Sequence, residues 1–177
     1  MKIRQGFVSN SSSSSFVVAF PKKPTNSEEV QQMIFEERKE FQSPWDWVDE
    51  YWSTEKVVGT IWKMIEEQKP NDKKTLLSSI QDGWFQPYDD LPGCAEYEYK
   101  DFDYKTDEGR AAANSYFNAC DKESKKRSQA IINKFMKDNE GSTFYVFEFS
   151  DNDGSYFSAL EHGNVFRKLK HIRTSYH

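Results

Sequence analysis

At the end of the chain His171, Arg173, Ser175 and His177 recur at every second residue. In an extended segment that spacing puts all four side chains on one face. There an arginine can grip a phosphate while a histidine gives or takes its proton. Near the start, Ser9, Asn10 and the serine run Ser11–Ser15 offer hydroxyls and backbone N–H groups, and Arg4 adds a cation. Held in place, such a segment forms an anion-binding nest. One candidate ligand site therefore comprises Arg4, Ser9, Asn10, Ser11, Ser12, Ser13, His171, Arg173 and His177, with a phosphorylated or nucleotide ligand. The plainer readings are a solvated serine spacer and a basic tail lying along an acidic surface.

Other reactive chemistry finds little support. No G-x-S-x-G elbow and no glycine-rich phosphate loop occur. The three histidines, His162, His171 and His177, are nine and six residues apart, and Cys94 and Cys120 form no C-x-x-C pair. None of these spacings suits zinc, so neither a metal nor a cofactor is expected, and no residue is assigned a catalytic role.

A second constellation suits protein contact. The stretch "PWDWVDEYW" places Trp45, Trp47, Tyr51 and Trp52 close together, and large rings anchor interfaces as readily as cores. Residues 82–108 alternate acids with rings, as in "EYEYKDFDYK", and Glu96, Glu98, Asp101 and Asp103 stand in its middle. Nine acids against two lysines give this stretch a balance of −7, whereas the whole chain carries −5. The alternation also suits rings packed inward with acids facing water. The last fourteen residues, by contrast, carry four cations and no acid. Such polarity bears on partners rather than fold. It disfavours direct nucleic-acid binding, which needs a dominant basic stripe.

At 177 residues, with 14 Phe, 9 Tyr and 5 Trp, the chain has enough apolar mass for one core, and residues 1–177 are expected to form one domain. No apolar run approaches the roughly 20 residues that span a bilayer, and the segment before the serines lacks a signal-peptide core. Two cysteines point to a reducing compartment, so a cytoplasmic location is expected.

The elements that must position these groups follow from pattern. Phe16–Phe20 is a buried strand closed by Pro21. Thr25 and Glu28 form a capping box before a helix over 27–42. Ser53 or Thr54 caps a helix that runs toward Pro70, and a short helix follows over 72–80. Thr106 caps a long helix over 107–139, whose apolar stripe thins at "DKESKKRS". "STFYVFEFS" and "SYFSALEH" flank "DNDG", a hairpin signal with Gly154 free to take positive φ, and the tail ends extended. A hairpin needs further strands. The expected fold is therefore α+β: an antiparallel sheet formed by the N-terminal strand and a C-terminal β-hairpin over 143–161, covered on one face by three to four helices.

The string "RQGFVSNSSSSSFVV" resembles an N-terminal signature found in proteins of tailed bacteriophages and some bacteria: a basic residue, then Gly6-Phe7-Val8-Ser9-Asn10, five serines and Phe16. The resemblance covers about sixteen residues. It implies a phage-type origin and supplies no catalytic residue. The function expected is that of a phage-type accessory protein, non-enzymatic, binding a host or phage protein in the bacterial cytoplasm; the alternative is a small enzyme or ligand-binding domain using the serine–tail site.

Overall fold

The computed structural model describes residues 13–42, 51–80, 84–85 and 100–176. In chain order its elements are β1 (Ser13–Phe20), α1 (Ser27–Ile34), β2 (Glu40–Gln42), β3 (Tyr51–Ser53), α2 (Thr54–Glu67), α3 (Lys73–Ser78), β4 (Trp84–Phe85), α4 (Asp107–Asp138), β5 (Thr143–Ser150), α5 (Ser155–His162) and β6 (Lys170–Tyr176). The fold is α+β. Its main sheet is antiparallel with strand order β4-β6-β1-β5, so the first strand lies between strands from the end of the chain. Phe16 stands opposite Phe147 of β5 on one side and Arg173 of β6 on the other. Among the described residues no helix is long and apolar enough to cross a membrane.

Helices cover both faces of this sheet, not one as the pattern suggested. On one face Phe16, Val18 and Phe20 pack with Ile34 of α1, Ile61 of α2 and Leu160 of α5. On the other, Val17 and Ala19 meet Leu76 of α3 and Ile131, Ile132 and Phe135 of α4. This explains why the strand reads as an unbroken apolar run. Alternation appears only when one face is wet, and from Ser14 to Phe20 every residue is buried.

Three local expectations change. Helix α1 stops at Ile34 rather than running to 42; its cap is Asn26, whose side chain accepts from the Glu29 N–H, and Glu36 then adopts φ +54. Phe41, inside the range expected for that helix, belongs instead to a two-stranded ribbon, opposite Trp52. The second arm of the proposed hairpin is helix α5. A single 3₁₀ turn over Asp151–Asp153 and Gly154 at φ +99 swing the chain out of β5 into that helix. The strand that fills the other side of β1 is the tail, β6. The caps at Ser53, Asp72 and Thr106 each accept a backbone N–H inside the following helix, satisfying donors that would otherwise be orphaned.

Helix α4 is 32 residues long, about 48 Å at 1.5 Å per residue. Its second half carries the packing: Ser128, Ile131, Ile132 and Phe135 are buried. From 107 to 127 only Ala113 is. The thinning of the stripe at "DKESKKRS" marks where the helix leaves the sheet.

Candidate functional site

The serine run does not form a loose loop at its far end. Ser13, Ser14 and Ser15 are the first residues of β1, and Ser14 and Ser15 are 1% and 2% exposed. Ser15 faces Glu148, 3.4 Å away, on the α4 side of the sheet. Ser14, on the opposite face, donates to Oε1 of Glu161 at 3.1 Å. It also accepts from Nε and Nη2 of Arg173 at 3.3 and 3.2 Å. Nη2 lies 3.4 Å from Nδ1 of His162, whose Nε2 is 3.7 Å from Oε2 of Glu161. The Arg173 guanidinium stacks 5.6 Å over the Phe16 ring. Burial pushes its pKa down and the Glu161 carboxylate pushes it back up; an arginine stays charged throughout.

This is a serine-bridged charge pair, not a reacting group. The hydroxyl hydrogen goes to Glu161 and the lone pairs face arginine donors, while burial denies a substrate access to Oγ. Its place is structural: it closes the end of the sheet where the serines enter. Glu161 is fully buried, and no sequence signal exposed it, because its segment was read as a strand and its charge looked solvent-facing.

His171 shares a sheet face with Arg173, as spacing by two requires. Its Nδ1 is 3.0 Å from the Leu169 carbonyl, and its ring lies 6.2 Å from Phe16. Thus Ser13, His171 and Arg173 all sit on the main sheet, with Arg173 turned inward onto Ser14. Arg4, Ser9, Asn10, Ser11, Ser12 and His177 lie outside the described residues, as do Trp45, Trp47, Glu96 and Glu98. Trp52 is half-buried in the core, edge-on to Tyr156 at 5.8 Å, whereas its neighbour Tyr51 is 51% exposed.

Asp101 and Asp103 lead to the feature that stands out as a contact surface. They flank Phe102, whose ring is 5.6 Å from Tyr116, 6.1 Å from Phe117 and 6.2 Å from Tyr104. Lys100 sits 4.8 Å over the Tyr116 ring. Tyr104 and Phe117 remain 56% and 51% exposed. The four rings therefore pack on one another at the start of α4, outside both buried core clusters.

The segment before the helix is pinned to its first turn. Thr106 accepts from the Gly109 N–H at 3.0 Å and donates to the Asp103 carbonyl at 3.1 Å. Arg110 donates to the Tyr104 carbonyl at 2.8 Å and pairs with Asp107. Gly109 permits this closeness, since a Cβ there would lie 1.9 Å from the Asp103 oxygen. Rings held this way lose little entropy on binding. Phe117 lies within the apolar stripe of α4, and the clue to its exposure is the charged break that follows it. Comparisons with protein-family models, curated proteins and solved structures give no match for this chain.

Proposed function

We propose that this chain is a phage-type accessory protein that acts by binding another protein of host or phage origin, without catalysing a reaction, in the bacterial cytoplasm. The observation that supports it is the ring cluster Phe102/Tyr104/Tyr116/Phe117, rigidly held and half-exposed at the end of a helix that has left the core. Buried aromatic anchors dominate binding energy at interfaces. Asp101, Asp103, Asp107 and Glu108 stand among these rings in the chain, so the partner surface that suits the tip is basic, with an apolar slot for the rings. The phage-like start of the chain supports the origin.

The test is site-specific photo-cross-linking in bacterial cells. The full chain would carry p-benzoylphenylalanine in place of Phe117 or, as control, of Lys63, which is exposed on α2. The expected result is a discrete adduct from position 117 only, lost when Phe102→Ala is added, with a partner that presents a basic face. Adducts that are identical from both positions, or absent from 117, overturn the reading.

A further inference from the structure

A cleft of about 540 Å³ opens between the turn after α1, ribbon β2–β3 and the turn after α5. Among the described residues its walls carry Arg38, Lys39 and Arg167 and one carboxylate, Glu40. None of the three cations has an ion-pair partner among the described residues. Beside them Lys168 pairs with Glu36. That pair also joins the two turns that form the walls.

The walls are built rather than draped. Thr54, 2% exposed, donates through Oγ1 to the Arg38 carbonyl at 2.7 Å and through N–H to the Lys39 carbonyl at 2.9 Å. Gln31 adds a bond to the Arg38 carbonyl at 3.0 Å. Opposite, Gly163 lies so close to Phe41 that a Cβ would sit 2.5 Å from the ring. The two non-glycine residues with positive φ among those described, Glu36 at +54 and Asn164 at +51, occur in these two turns. For glutamate that conformation is costly, and strain of this kind gathers at ligand clamps. Tyr51, half-exposed, supplies a ring at the cleft.

The geometry points to a binding site for a phosphomonoester that bears a flat ring, of nucleoside-monophosphate size. A phosphate monoester carries nearly two charges at neutral pH, which suits a surplus of two cations better than a single carboxylate would. Arginine forks match its oxygens in pairs, and the volume falls in the range that encloses small ligands. Tyr51 is the ring on the cleft wall against which the base would lie. The site is separate from the tip of α4, so it stands or falls independently of the protein-binding proposal.

Calorimetric titration of the full chain with AMP, ribose 5-phosphate, inorganic phosphate and adenosine tests it. AMP should bind tightest, and Arg38→Gln and Arg167→Gln should each weaken it about tenfold, the loss expected for one charged hydrogen bond. Tyr51→Ala should weaken AMP more than ribose 5-phosphate. Among the described residues neither arginine side chain makes a hydrogen bond or an ion pair, so thermal melts should match the parent chain. No binding of either phosphomonoester at millimolar concentration overturns the site. So does adenosine binding as well as AMP, or affinity unchanged in both arginine variants. Equal binding of AMP and ribose 5-phosphate overturns the role of Tyr51.

Discussion

Arg173 reaches across 159 residues of chain to place two donors on the hydroxyl of Ser14, and Ser14 passes its own hydrogen to the buried Glu161. The first and last strands of the protein are thereby joined by charge as well as by the backbone ladder. Removing one member of such a set strands the other charge in a dry place, which costs more than the pair itself contributes. Arg173→Ala should destabilise the fold by about 3 kcal/mol. Arg173→Lys should recover only part, because an ammonium cannot present two parallel donors. A double-mutant cycle with Ser14→Ala, read by urea unfolding, should give a coupling of about 1 kcal/mol or more. Strict additivity would show that the contact is incidental.

Gly109 reverses the usual rule for glycine in helices. Replacing a helical glycine by alanine ordinarily gains about 1 kcal/mol. Here the new methyl meets the Asp103 backbone, and the segment carrying Phe102 and Tyr104 must lift from the helix. Gly109→Ala should lower stability by about 1–3 kcal/mol, the range for overpacking. It should also change the near-ultraviolet dichroism of the rings and reduce cross-linking from position 117. A raised melting temperature would contradict the geometry.

Among the described residues two buried hydroxyls, Ser128 Oγ and Thr174 Oγ1, find no hydrogen-bond partner. An unsatisfied buried polar group is a penalty that an apolar replacement of similar shape removes. Ser128→Ala, which also favours the helix, and Thr174→Val should each raise stability by about 1 kcal/mol. Chemical denaturation measures this directly; a loss of similar size in either variant would mean that its hydroxyl is bonded after all.

Asp72 caps α3. Its carboxylate accepts from the Thr75 N–H at 2.9 Å and from the Thr75 hydroxyl at 2.8 Å. The backbone bond first and the hydroxyl bond second hold its pKa below the ordinary aspartate value. A carboxyl depressed on folding stabilises in full above its unfolded pKa and loses that contribution as pH falls through the folded one. Asp72→Ala should therefore melt below the parent chain at pH 7, with the gap closing in acid. Asp72→Asn should keep most of the cap at pH 7. A gap that stays constant as the pH is lowered would place the effect elsewhere.

How much of this was legible beforehand depended on the range of the forces involved. The caps at Ser53 and Thr106, the helix starts they set and the meeting of both chain ends in one sheet could be read from the string, because caps are local and a run such as Phe16–Phe20 has to be buried. The extent of α1 and the character of 155–162 could not. Ile34 and Phe41, seven residues apart, look like one helical face until Glu36 turns the chain, and "SYFSALEH" suits a strand or a helix equally until β6 occupies the position beside β1.

The candidate sites divide along the same line. Sequence by itself determined that rings and acids accumulate before α4 and that cations accumulate in the tail, since these are matters of composition. Only the tertiary structure decided which groups are withdrawn and which are offered. It turned Arg173 inward onto Ser14 and Glu161, left Phe117 facing outward on a helix that outruns its core, and set Arg38 and Arg167 on opposite walls of one cleft. The reason is physical: burial and charge pairing are properties of residues far apart in the chain, and no local pattern records which of them will meet.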